Sequence, residues 1–149
     1  MKRKAMCAAA TIVVIEVLIG FAIYFKPLSF SGLVGENSQV AITINEFEVK
    51  NGKPYIDSTP GHFLTSEQKN SILGLLEQYT YKRTFATPFS DGSLSELGNR
   101  ALSIYVYDDG GSLSNTCMIT SSGKIRFKDK TYHMKNADQL IEQVVEMME

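Results

Sequence analysis

The sequence is poor in the residues that build most reactive centres. It has two cysteines and two histidines in 149 residues. It contains no H-E-x-x-H and no Cys/His cluster with ligand spacing, so no metal site is predicted. There is no G-x-S-x-G elbow and no glycine motif that would cradle a phosphate. No internal repeat or low-complexity tract occurs. Asp108-Asp109-Gly110-Gly111 offers acidic oxygens but lacks the alternating ligands and distal Glu of a calcium loop, and reads as a turn. No cofactor is expected. These absences point away from catalysis and towards binding.

One long apolar run is present, and it opens the chain. Met1-Lys2-Arg3-Lys4 is a cationic head. Residues 5–25 follow with Glu16 as their only charge, and Lys26-Pro27 closes the run. A helix rises about 1.5 Å per residue, so the run reaches about 30 Å, the thickness of a bilayer's hydrocarbon core. A signal peptide has a shorter apolar core and a small-x-small cleavage site. Ser29-Phe30-Ser31 is a poor site of that kind, so a retained anchor is expected over residues 1–26, with secretion as the outcome if the segment is cleaved. Cys7 precedes the apolar core, which argues against a lipoprotein. More cations precede the run than follow it, which keeps the N-terminus cytoplasmic and sends the remainder out as a single-pass protein of the cell membrane. Glu16 is costly at mid-span. It marks a candidate contact with a partner helix.

The expected organisation is an anchor at 1–26, a Gly/Ser-containing tether at 27–38 and one extracytoplasmic domain at 39–149. The whole chain carries 15 cations and 16 anions. Removing Lys2, Arg3, Lys4, Lys26 and Glu16 leaves 11 and 15, a net charge of −4. An acidic domain argues against nucleic acid, which needs a basic patch. Cys7 and Cys117 would lie on opposite sides of the membrane and cannot pair within a chain. Cys117 reads as a small buried residue, with a reactive or intermolecular thiol as the alternative.

Periodicity gives the elements. Val40, Ile42 and Ile44 alternate as a strand, and the phase slips near Asn45-Glu46, where a bulge or break is expected. Asn51-Gly52 predicts a type I′ hairpin, and Pro54 makes its second arm an edge. Thr65 and Gln68 form a capping box that opens a helix over 66–79. A strand is expected near 80–86 and a loop over 87–100. Leu102, Ile104 and Val106 then alternate with Ser103, Tyr105 and Tyr107. Further strands are expected at 115–121, 124–128 and 131–133. Asn136 and Gln139 suggest a second capping box, before a helix striped by Leu140, Ile141, Val144, Val145 and Met148. Short hairpin links make the sheet antiparallel, and two amphipathic helices must cover one of its faces. The fold class is α+β.

The anchor, the Asn-Gly hairpin, and the Ser122-Gly123-Lys124-Ile125 hairpin running through Tyr132 to a C-terminal helix resemble small membrane-anchored extracytoplasmic domains of Gram-positive bacteria that lack an assigned function. The strand-helix-multistrand core also resembles cystatin-like folds. That resemblance implies a curved sheet used in binding.

The uncovered sheet face would carry Tyr105, Tyr107, Met118, Thr120, Arg126 and Lys128. Tyrosine and arginine are enriched at binding hot spots. These residues are the candidate binding face for a protein or peptide of the cell envelope. The ordinary alternative is cross-strand pairing. Two rival functions are weighed. A small envelope hydrolase could use Ser66-Glu67-Gln68-Lys69, which matches S-x-x-K, or His62 or His133. Ser90-Asp91-Gly92 and Lys130-Thr131-Tyr132 echo its partner motifs with a wrong third residue each. A subunit of a membrane complex would assemble through Glu16. Oligomeric state is not legible.

Overall fold

The computed structural model describes residues 2–30, 34–35, 37–84, 99–127 and 130–148, with side-chain environments from Thr11 onward, Pro54 excepted. The chain is α+β. A helix α1 (Lys2–Tyr24) leads into β1 (Gln39–Lys50), β2 (Lys53–Ser58), β3 (His62–Phe63) and α2 (Ser66–Glu77). β4 (Arg100–Tyr107), β5 (Leu113–Thr120), β6 (Lys124–Phe127), β7 (Lys130–His133) and α3 (Ala137–Met148) follow. The strands form a seven-stranded antiparallel sheet in the order β2-β1-β4-β5-β6-β7, with β3 also paired to β1.

β1 is twelve residues long and runs unbroken through Asn45-Glu46. The phase slip read there has another cause. The first part of β1 pairs with β4 across residues 39–46, residues 45–46 pair with β2 as well, and residues 47–50 pair with β2 alone. The strand leaves the core, so its outer part loses the burial pattern without any insertion. Val49 is 76% exposed. The turn that joins this arm has positive φ at both Asn51 (55°) and Gly52 (73°), as a type I′ hairpin requires. The irregularity in the sheet lies in β5 instead. Val106 faces Asn115 and Tyr107 faces Leu113, which leaves Ser114 as an extra residue. Its hydroxyl donates to the Val106 carbonyl (3.0 Å).

β3 has no signature in the sequence. After β2 the chain kinks at Thr59-Pro60-Gly61. The Thr59 N–H donates to Ile44 O (2.9 Å), and its hydroxyl oxygen accepts from Ile44 N (2.9 Å). One residue thus satisfies both backbone groups of Ile44 where Pro60 has no N–H to offer. His62 and Phe63 then resume pairing with Ile42 and Ala41.

The core lies on one face of the sheet. Val40, Ile42, Ile44, Leu102, Ile104, Val106, Cys117, Ile119, Ile125 and Phe127 point into it, under Ile72, Leu75 and Leu76 of α2 and Leu140, Ile141 and Val144 of α3. The Thr65 capping box is formed in both directions. At α3 the expected box is not the geometry found. Asn136 takes φ 58°, outside the extended region from which an N-cap side chain folds over the first turn. The close approach at Gly123 explains this corner. Its φ is +90°, a Cβ there would collide with the Met134 carbonyl, and Met134 N donates back to Gly123 O (2.8 Å). The β5–β6 turn therefore fixes where the chain enters α3.

Segment 27–38 is more than a tether. Phe30 is buried in the core and meets the Tyr81 ring edge-on at 4.9 Å. Leu28 forms a β-bridge with Tyr81, and Lys82 forms one with His133 of β7. Of the strand expected near 80–86, Tyr81 and Lys82 are present as these bridges, and residues 85–86 lie outside the described residues, as does most of the loop expected at 87–100. The Tyr81 hydroxyl donates to Leu76 O at 2.6 Å, and burial raises its pKa well above the ordinary range for tyrosine.

Truncating Phe30 to Ala should lower domain stability by about 3–5 kcal/mol, the usual cost of emptying an aromatic site in a core. Urea unfolding of the wild type and the variant checks this. A change below about 0.5 kcal/mol, as for a surface position, would return residues 27–38 to the status of a plain spacer.

Candidate functional site

Strand register decides which side chains share a surface. Tyr105 faces Thr116, Ser103 faces Met118, and Met118 faces Arg126. Tyr105 also faces Ala41, which faces Phe63. These residues therefore lie on the side of the sheet opposite α2 and α3. Tyr105, Tyr107 and Met118 are half-buried and Arg126 is exposed. Lys128 lies outside the described residues. Thr120 is buried, and its hydroxyl donates to Lys124 O (2.9 Å) and accepts from Lys124 N (3.1 Å), so it serves the β5–β6 turn. Ser103 is also buried, and its hydroxyl accepts from the Asn45 side-chain amide (3.0 Å).

Two residues that the sequence pattern did not single out complete this face. Phe63 is 58% exposed and its ring sits 5.6 Å from that of Tyr107. Leu113 is 54% exposed and lies opposite Tyr107 across the bulge. Phe63 is hidden in the sequence because β3 is only two residues long. The arm extends the same side with Phe47 and Ile56, which face each other, and with Val49. Apolar and aromatic side chains thus lie at two ends of this side, on the arm and around Phe63, Tyr107 and Leu113, with the hydrogen-bonded Asn45, Ser58 and Ser103 between them.

Clefts among the described residues lie at the margins. One, of about 580 Å³, is lined by Gln78, Tyr79, Thr80, Lys82, Thr84 and residues 133–136. A second, of about 550 Å³, is lined by residues 37–39 and 63–66 together with Lys69. It contains the S-x-x-K pair. Lys69 Nζ donates to Ser38 O (3.2 Å), which fastens the approach to β1 onto α2. Ser66 is the first residue of α2, positioned by the Thr65 capping box. His62 faces Ile42 in β3, and His133 pairs with Lys124 and Lys82. Among the described residues neither imidazole is hydrogen-bonded to a hydroxyl that it could activate. The third cleft borders Asp108, whose carboxylate accepts from Gly110 N (3.0 Å) and Ser112 N (2.8 Å). That oxygen is used by its own turn. Among the described residues no group of His, Cys, Asp and Glu could hold a metal ion.

Cys117 is buried in the core, 5% exposed. Burial pushes its pKa up to about 12, because the thiolate would lose its hydration. The neutral thiol is the form that the core accepts. Its contribution to stability is full below the ordinary thiol range near 9 and is lost as pH rises towards 12. Iodoacetamide at pH 8 should therefore leave the Cys117 peptide unmodified in the folded protein and alkylate it after denaturation. Mass mapping checks both, and rapid labelling of the native form would restore the reactive-thiol alternative.

No protein-family model matches the chain, and no curated protein or solved structure matches it.

Proposed function

We propose that the protein is a membrane-anchored extracytoplasmic binding module that holds a protein or peptide of the cell envelope on the face of its sheet opposite α2 and α3. Phe63, Tyr105, Tyr107 and Leu113 would form the centre of the contact, with Met118 and Arg126 beside them. The observation that carries this reading is the Phe63–Tyr107 ring pair, left open on the face opposite both domain helices. Aromatic groups that offer large contact area at small entropic cost are favoured as anchors of such interfaces.

Anchoring by α1 is part of the same proposal. Among the described residues no helix is long and apolar enough to cross a membrane. The support is the apolar run over residues 5–25, and the large side chains of α1 from Ile12 to Ile23, which are about half exposed or more and make no core with the domain. The N-terminus would be cytoplasmic and the sheet domain outside. The likeness in layout to small anchored envelope domains, and to cystatin-like sheets used in binding, agrees with this reading.

A second reading, assembly into a larger membrane complex, rests on Glu16. Its exposed carboxylate lies amid the apolar surface of α1. There a partner helix would relieve the cost of an ionisable group in lipid. The hydrolase reading has no comparable support, since Lys69 and Ser66 are accounted for by the structure of the α2 start.

Photocrosslinking in cells from position 105 should give a discrete adduct, and position 139 on α3 should not. Phe63→Ala and Tyr107→Ala should each weaken the adduct by about tenfold, the effect of losing a hot-spot aromatic worth about 1–2 kcal/mol. An adduct that persists unchanged in both variants would sink the sheet-face assignment. If Glu16→Leu alone abolishes it, the helix reading is favoured instead.

A further inference from the structure

The domain is acidic overall, yet the cleft beside the end of α1 is not. Its lining contributes Lys82, Lys135 and His133, the amides of Gln78 and Asn136, and the hydroxyls of Thr80 and Thr84. Among the described residues no carboxylate lines it. Lys82 and Lys135 are exposed and His133 is half-buried. Of the tyrosine in this cleft only the ring is on offer, since Tyr79 donates its hydroxyl to Gln143 Oε1 (3.0 Å). Three carboxylates on the neighbouring elements have their own partners. Asp138 and Glu142 accept from Arg100 (2.7 and 3.2 Å), and Glu77 accepts from Ser29 (3.4 Å). The cleft thus offers the positive charge of Lys82 and Lys135 beside amide groups that can donate. That suits an anion whose oxygens only accept, as those of a phosphate diester do.

Position narrows the source of that anion. The Tyr24 hydroxyl, at the end of α1, donates to Thr84 O (3.2 Å), and the Arg83 guanidinium lies 3.8 Å over the Tyr24 ring. Lys82 and Thr84, on either side of Arg83, both line the cleft. The cleft therefore opens beside the last turn of α1. Its volume of about 580 Å³ is in the range of small-molecule sites.

We propose that this cleft binds the phosphate of an anionic phospholipid headgroup in the leaflet that α1 leaves. The proposal rests on the reading of α1 as a membrane anchor. In the bilayer the headgroup layer would lie at the end of α1, where Lys82, Arg83 and Lys135 are gathered. Lys82 and Lys135 hold the phosphate oxygens, while Arg83, stacked on Tyr24, keeps the cleft against the helix end.

The full chain, reconstituted into phosphatidylcholine liposomes with or without phosphatidylglycerol, tests this. Flotation after a carbonate wash reads the anchor. Lipid retained on the protein after detergent exchange, measured by native mass spectrometry, reads the cleft. Wild type should float and should retain phosphatidylglycerol in preference to phosphatidylcholine. Lys82→Ala/Lys135→Ala should float equally and retain less phosphatidylglycerol, by about fivefold for each lysine removed. Lys53→Ala, on the distant arm, should behave as wild type. Equal retention by wild type and the double variant, with flotation intact, overturns the cleft and spares the anchor. Protein that does not float overturns both. If inorganic phosphate raises the melting temperature as much as phosphatidylglycerol does, and only in proteins that keep both lysines, the anion comes from solution and the lipid assignment falls.

Discussion

Ile42, Leu102, Ile104, Ile119 and Ile125 meet Leu76, Leu140, Ile141 and Val144 across a single interface, and the other features of the domain follow from that contact. Each of these side chains is buried, which is worth about 1.5–3 kcal/mol apiece relative to water. Because strand side chains alternate, committing one set to the helices commits the other set to the opposite side. Tyr105, Tyr107 and Met118 lie there as a consequence of where Ile104, Val106 and Cys117 had to go. With no disulfide available to the domain, this interface holds α2 and α3 to the sheet, joined at α3 by the Arg100 link to Asp138 and Glu142. That link is mostly solvated on the carboxylate side and contributes modestly. Its paired carboxylates do hold the Arg100 pKa above the ordinary value.

The same contact explains how much of the fold was legible. Alternation in β4 and the stripe of α3 are direct imprints of one-sided burial, so both were placed from the sequence alone. The Asn51-Gly52 turn was legible because positive φ at two successive residues selects those residue types. The missed features are those where tertiary packing overrides local pattern. β3 is two residues that pair only because Thr59 restores contact with Ile44. The phase slip in β1 was real, but it recorded departure from the core and not a bulge. Phe30 sits in a stretch with no period, and nothing local announces that one aromatic there reaches Tyr81. At Asn136 the residue types fitted a capping box, yet its φ is positive, two residues after Met134 packs against Gly123.

The candidate binding face was legible to a similar degree. Tyr105, Tyr107, Met118 and Arg126 follow from alternation, whereas Phe63 could be placed only once β3 was seen to lie against β1. Thr120 shares their parity but is buried by the turn that its own hydroxyl braces. Parity identifies the side of a sheet; whether a residue is accessible there depends on connections that alternation does not encode.

The stitching of Leu28 to Tyr81 and of Tyr24 to Thr84 bears on how such a domain would search for its partner. A free twelve-residue linker has a root-mean-square span of about 18–20 Å, enough to let a tethered domain tumble through most orientations. With residues 24 and 28 both attached, the freedom between helix and sheet shrinks to a stub of three residues. The aromatic face would then present a nearly constant azimuth about the axis of α1. Were α1 to anchor the protein as proposed, a partner in the same membrane would meet that face at high effective concentration when aligned with it and hardly at all when not. Selectivity would in that case reside partly in lateral geometry, a property that no single contact residue carries.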